Sequence, residues 1–248
     1  MIHYHGSPLS GPGLGKERFY AGRHALVSYA YKGDLAIVAE SCQSFIFDNG
    51  AFTAWKQGKP LDIPSYVAWV TDWYKHPGFD WALVPDVIDG DEDANDRLLA
   101  DWPTQLPGVP VWHMHESFER LERMAHEWPR ICIGSSGDYA AIGTAAWWMR
   151  MGQAMRVICD DMGRPVCKLH GLRMLDPGVF SRFPFASADS TNIGRNVGID
   201  AAWKAGNYLP AGKAARAAVM RNRIEAHNSV PAFDFTMTPT IQEQAVLL

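Results

Sequence analysis

Apolar residues recur along the chain in short runs rich in aromatic and β-branched side chains, separated by stretches with apolar positions at helical spacing. That alternation predicts buried parallel strands joined by helices. Phe45-Ile46-Phe47-Asp48-Asn49-Gly50-Ala51-Phe52 is the plainest case: an apolar run stops at an acid and then a glycine, as a buried strand emptying into a tight turn would. Leu83-Val84-Pro85-Asp86 and Phe185-Ala186-Ser187-Ala188-Asp189 also run from apolar residues into a carboxylate. One acid after a strand reads as well as a helix N-cap. Three together point to a site, because in a (β/α) barrel the loops at the C-terminal strand ends converge on one cavity.

Taken in order, the pattern predicts eight strands. They are Ile2 to His5, Ala25 to Tyr29, Phe45 to Asp48, Trp81 to Val87, Val109 to His115, Arg130 to Ser135, Val166 to Gly171 and Phe185 to Ser190. A Gly/Pro-rich loop from Gly6 to Gly15 should lie over the barrel mouth. Helices are predicted over Asp34 to Gln43, Pro64 to Lys75, up to Trp102 after an acidic stretch at Asp89 to Asp96, from Ser117, over Ala140 to Asp161, Pro177 to Phe183, and Ala211 to His227. The segment from Pro231 to Leu248 is expected only to pack. With 248 residues and 47% hydrophobic content, the expectation is one α/β domain over residues 1–248, a single (β/α)8 barrel of TIM type with its site at the C-terminal strand ends.

Charge and cysteines narrow the classes. Cys42, Cys132, Cys159 and Cys167 form no C-x-x-C pair, and no apolar run is long enough to span a membrane, so the expectation is a protein of the cytoplasm with reduced thiols and no membrane partner. A net charge of −4 requires a local basic face for any nucleic-acid role. Candidates are Arg18, Arg23 and His24, and a second group at Lys204, Lys213, Arg216, Arg221 and Arg223.

The strand ends collect His5, Asp48, Asp86, His113, His115, Ser135, His170 and Asp189, with Gly50, Gly134 and Gly171 allowing close backbone approach. Two chemistries suit such a cavity. Paired carboxylates can split a glycosidic bond, one attacking the anomeric carbon and the other moving protons, through an oxocarbenium-like transition state. Alternatively, His3 and His5 with Asp189 could hold a divalent metal that activates water, the chemistry of a barrel hydrolase.

Asp48-Asn49-Gly50-Ala51-Phe52 resembles the Asp-Ser-Gly-Gly-Phe/Tyr motif of tRNA-guanine transglycosylases. Asp189-Ser190-Thr191-Asn192-Ile193-Gly194-Arg195-Asn196 is similar to that family's aspartate followed by Gly-Arg-Asn, and Ile133-Gly134-Ser135 and Leu169-His170-Gly171 come in the matching order. The compact length and the Asp-Asn-Gly-Ala-Phe variant are most similar to the phage branch, thought to exchange guanine in DNA for a 7-deazaguanine. The resemblance covers residues 45–196.

It implies that Asp189 is the nucleophile and Asp48 the general acid/base, in a two-step exchange through a covalent glycosyl intermediate. It further implies that Asp86 accepts from the purine N1 proton and exocyclic amine, that Phe52 and His170 sandwich the base beside Asn49, and that the Gly134-Ser135 backbone donates to O6. His113 or His115 stands where the family has a glutamine. Arg195, Lys213, Arg216 and Arg223 would contact phosphates of the nucleic acid, DNA before tRNA. The family's Cys-x-Cys-x-x-Cys zinc spacing is absent, so no metal and no cofactor are expected. The polar Ser190, Thr191 and Asn192 are expected to hydrogen-bond Asp189, and the apolar neighbours of Asp48 to raise its proton affinity.

Overall fold

A computed structural model of the chain describes residues 1–9, 15–197 and 210–236. Its strands are β1 (Ile2–Gly6), β2 (His24–Ser28), β3 (Ser44–Asp48), β4 (Phe79–Leu83), β5 (Gly108–Val109), β6 (Val111–His113), β7 (Arg130–Gly134), β8 (Lys168–Gly171) and β9 (Ser187–Ser190). They form one parallel sheet in the order β5-β4-β3-β2-β1-β9-β8-β7-β6. β5 and β6 are halves of one run broken at Pro110, whose ring nitrogen has no N–H to give to the ladder. The first half pairs with β4 and the second with β7, so this run joins the two ends of the sheet and nearly closes it. Counted once, it makes the architecture the α/β barrel of TIM type that the sequence pattern predicts.

The helices are α1 (Lys16–Tyr20), α2 (Leu35–Ser41), α3 (Ala51–Lys56), α4 (Ile63–Trp73), α5 (Glu92–Ala100), α6 (Phe118–Glu127), α7 (Ala145–Ile158), α8 (Pro177–Phe180), α9 (Asn192–Asn196) and α10 (Lys213–Glu225). Several starts are fixed by side-chain caps. Asp62 accepts from Ser65 N at 3.1 Å, Asp91 from Ala94 N at 2.7 Å and Ser117 from Arg120 N at 3.1 Å, each satisfying an amide that the first helical turn leaves without a partner. The acidic stretch therefore caps α5 through Asp91. The short helices α1, α3 and α9 have no counterpart in the sequence reading, and β8 and β9 begin two residues later than it predicts.

Alternation along the strands sorts the side chains into two layers. Tyr4, Leu26, Ile46, Trp81, Leu83, Val109, Val111 and Cys132 fill the barrel interior, while Phe45, Phe47, Ile131 and Ile133 face the helices. Phe47 stacks on Trp69 of α4 with ring centroids 3.7 Å apart, and burying a phenylalanine this fully is worth about 1.5–3 kcal/mol. Residues 231–236 of the expected packing segment do pack. Phe233 is buried and stacks on Phe183, and Phe235 O accepts from Arg156 Nη2 at 2.9 Å. Residues 237–248, and Lys204 of the second basic group, lie outside the described residues. Among the described residues no helix is long and apolar enough to cross a membrane, and the four cysteines are free.

Candidate active site

The same alternation that puts Ile46 inside the barrel puts Asp48, two residues on, at the inner position where β3 ends. Tyr4 registers with Asp189 across β1 and β9, and Ser28 with Asp48 across β2 and β3. Asp86 reaches the same space from the loop after β4. All three carboxylates line one cavity of about 150 Å³ at the C-terminal end of the barrel. That volume is well below the roughly 300–1,000 Å³ of sites for drug-sized ligands, and suits a single small ring system. Asn49, Phe52, His113, Gly134 and Ser135 line it as well, as the sequence reading expects.

The turn between β3 and α3 is built for this placement. Gly50 has φ +81°, and a Cβ there would lie 3.2 Å from Ala30 N, so glycine suits both the conformation and the space. Asn49 is buried and makes three contacts: its Oδ1 accepts from Ala51 N at 2.8 Å, and its Nδ2 donates to Val84 O at 2.9 Å and to Asp86 Oδ1 at 2.7 Å. The residue named from the sequence as a base contact thus also holds Asp86.

Asp86 Oδ2 lies 2.9 Å from His113 Nε2, ion-pair distance, although the N–H does not align for a hydrogen bond. Burial alone would lower the His113 pKa, but its contact with Asp86 and the charges of Asp86 and Glu116 outweigh burial and raise it. His113 N in turn donates to Glu116 Oε2 at 2.8 Å. Glu116 is buried and tied to Arg120 Nη1 at 2.6 Å and Asn95 Nδ2 at 2.9 Å.

Asp48 is held in a strongly perturbing environment. Burial raises its pKa to about 6, and the neighbouring charges of Asp189 and Asp86 push the same way. The Gly50 amide opposes this, as does Ser28 Oγ, whose geometry falls short of a hydrogen bond. Complete burial raises the thiol pKa of Cys132, and the charges of Asp189, Asp86 and Asp48 push the same way against the opposing charge of Arg130. Ser7 Oγ, also lining the cavity, is buried without a hydrogen-bond partner among the described residues, a donor and acceptor turned to the site.

Asp189 is held differently from the sequence expectation. Its Oδ1 accepts from Arg173 N at 3.0 Å and lies 3.3 Å from His170 Nε2. Ser190 Oγ instead accepts from Asn192 N at 3.0 Å and so serves its own turn. His170 is fully buried between Tyr4 and Trp81, with Nδ1 2.8 Å from Ser187 Oγ. Burial lowers its pKa despite the pull of Asp189, and the neutral tautomer satisfying both contacts carries its proton on Nε2. His170 therefore supports Asp189 from below and does not line the cavity as one face of a base sandwich.

His115 is corrected too. β6 ends at His113, the chain turns as Glu116 N donates to His113 O at 2.8 Å, and His115 is exposed against Gly90 O and Ser136 Oγ, outside the cavity lining. Nor does the structure bring His3 and His5 to Asp189. They point away from the barrel interior, His3 to His227 O at 3.0 Å and His5 to Glu225 Oε1 at 3.0 Å. No group of three or more His, Cys, Asp or Glu among the described residues is arranged to hold a metal ion. Of the phosphate candidates, Lys213, Arg216 and Arg223 belong to α10 and do not line the cavity, Arg23 pairs with Glu225 at 2.9 Å, and the Arg195 side chain lies outside the described residues.

No family model, curated protein or solved structure matches the chain.

Arg173 is the residue that the sequence did not disclose. It lines the cavity, holds Asp189 through its amide, donates from Nη2 to Ser135 O at 3.2 Å and sets its guanidinium 4.7 Å from the Phe52 ring centre. It does so at φ +60°, a left-handed conformation that costs a non-glycine residue about 1–3 kcal/mol. No residue type advertises such a backbone.

Proposed function

We propose that the protein is a transglycosylase that exchanges guanine in a nucleic acid, DNA before tRNA, for a 7-deazaguanine base. The observation that carries this reading is the gathering of three carboxylates in one small cavity beside an aromatic ring, with Asp48 at a pKa of about 6. A hydrolytic glycosidase needs only two carboxylates. A third, Asp86, fixed by Asn49 and His113, offers acceptor lone pairs to a ring N–H and an exocyclic amine lying side by side, the edge that guanine and its 7-deaza analogues share.

In the proposed reaction, a carboxylate oxygen of Asp189 forms a bond to C1′ of the target nucleotide as the bond from C1′ to the purine breaks. The bonding pair leaves with the base, which takes a proton from the Asp48 carboxyl group. The incoming base returns a proton to the Asp48 carboxylate, its ring nitrogen attacks C1′, and the Asp189 carboxylate departs. Charge and protons balance over the two halves, and the anomeric configuration is retained. A pKa near 6 suits a group that gives and takes one proton per cycle. Phe52 provides one face for the base and Leu172, also in the lining, an apolar neighbour.

The test is incubation of the protein with isotopically labelled guanine or a 7-deazaguanine and either DNA or tRNA, followed by nucleoside mass spectrometry. Label in the nucleoside pool of one polymer is the expected result. Free base released without any incorporation would assign the cavity to a glycosidase instead.

A further inference from the structure

Six large apolar side chains are exposed among the described residues, and three of them, Tyr31, Trp55 and Val87, sit just beyond the C-terminal ends of β2, β3 and β4, around the cavity. Tyr31 lines the cavity yet is 51% exposed. Trp55, 46% exposed, stands one turn past Phe52 with ring centroids 5.8 Å apart and planes tilted by 34°. Its indole Nε1 donates to Asp89 Oδ2 at 3.0 Å, which fixes the ring in an orientation that leaves it open to solvent. Exposed rings held in place cost apolar hydration that a small-molecule cavity does not require.

Cations accompany these rings. Lys32 Nζ lies 4.2 Å from the Tyr29 ring centre, Lys56 Nζ 5.2 Å from that of Phe52, and the Arg173 guanidinium 4.7 Å from Phe52 on its own account. All three residues are exposed. The charge thus reverses from acidic inside the cavity to basic on the side of the rim that carries Lys32, Lys56 and Arg173. A free base presents nothing for the basic rim to bind. A polynucleotide does, because its phosphates stay outside when one base enters.

We propose that Tyr31 and Trp55, with Lys32, Lys56 and Arg173, form a surface for an unpaired polynucleotide strand, stacking the bases that flank the nucleotide inserted in the cavity. The proposal rests on the base-exchange reading for what enters the cavity. A base reaches an enclosed site only by leaving its stack, which strips its neighbours of a stacking partner as well. Aromatic rings replace that partner without regard to sequence, and nearby cations neutralise the phosphates between. Asp89, which anchors Trp55, begins an acidic stretch that would repel phosphates, so the backbone passes on the side of the lysines and Arg173.

The test is fluorescence anisotropy of a labelled single-stranded oligonucleotide carrying one guanine, with a fully paired duplex as the second arm, alongside calorimetry with free guanine. Tyr31→Ala and Trp55→Ala should each weaken single-strand binding about 5- to 150-fold, the scale of losing one stacked base, while Tyr31→Phe retains it. Lys32→Ala with Lys56→Ala should flatten the slope of log affinity against log salt by about 1.4. Trp55→Ala, outside the cavity lining, should keep the affinity for guanine. Strand affinity unchanged in Tyr31→Ala, in Trp55→Ala and in the double lysine variant, or a wild-type protein that prefers the closed duplex, overturns the strand surface and leaves base exchange standing. Strand binding lost as expected, in a protein that takes up no guanine, keeps the surface and removes the exchange reading.

Discussion

The two ends of the barrel treat buried acid in opposite ways. At the N-terminal end, Asp80 accepts a short hydrogen bond from the Tyr4 hydroxyl, and the Arg130 guanidinium lies 5.3 Å from the Trp81 ring centre nearby. Burial first, and then the Asp80 charge, raise the Tyr4 pKa, so the phenol keeps its proton and remains a donor. At the C-terminal end, three carboxylates share one cavity, and the burial and repulsion they suffer appear in Asp48. One end matches its acid to a phenol donor and so contributes to stability. The other sustains like charges and a left-handed Arg173, an arrangement that lowers stability and makes sense as chemistry.

The contrast breaks most visibly in rate. Asp189→Asn should reduce base exchange by about 10⁴-fold or more, the scale on which removing a nucleophile acts, and the nucleoside assay reads it directly. Asp48→Asn should slow exchange by about 10²–10⁴-fold, the usual contribution of a positioned acid/base. In the wild type, departure of the first base should slow as pH rises through about 6, because Asp48 then lacks the proton that it donates.

Stability should move the other way at the same residue. A carboxyl whose pKa rises from its ordinary 3.8 to about 6 on folding binds more protons in the folded state between those values, so its contribution to stability is lost as pH climbs through that window. Asp48→Asn should therefore be more stable than wild type above pH 6 by about 1–3 kcal/mol, with the gap closing towards pH 4. Thermal unfolding across that range checks it. At the opposite end, Tyr4→Phe should cost about 1–2 kcal/mol by leaving Asp80 without its donor, and should leave the exchange rate unchanged. A Tyr4→Phe protein that lost exchange but not stability would erase the distinction between the ends.

The smallest effect concerns α10. Lys213→Ala, Arg216→Ala and Arg223→Ala together should change strand affinity less than the pair of changes at Lys32 and Lys56, because no residue of α10 lines the cavity. Anisotropy titrations of the two variants at one salt concentration decide it.

These contrasts also divide what the sequence discloses from what it does not. The apolar runs ending in Asp48, Asp86 and Asp189 were legible because period-two alternation and strand polarity together aim a terminal residue into the barrel. Histidines were harder, since their use depends on which face of the strand they occupy. His3 and His5 flank Tyr4, and Tyr4 fills the interior, so both must face outward. His170 shares the inner face with Ser187 and Asp189, but it lies too deep to meet a ligand. His115 leaves the inner face because the strand stops at His113, where the buried Glu116 turns the chain, and strand ends are set by such tertiary contacts. The division of the fifth strand at Pro110 was written in the sequence, whereas the positive φ of Arg173 was not.

The central claim is that Asp189 makes the covalent bond and Asp48 moves the proton. Intact-protein mass spectrometry after incubation with a guanine-containing oligonucleotide, without added free base, tests it most directly. An adduct should form in the wild type, accumulate in Asp48→Asn and be absent in Asp189→Asn. An adduct that persists in Asp189→Asn and disappears in Asp48→Asn would contradict the assignment and exchange the two roles.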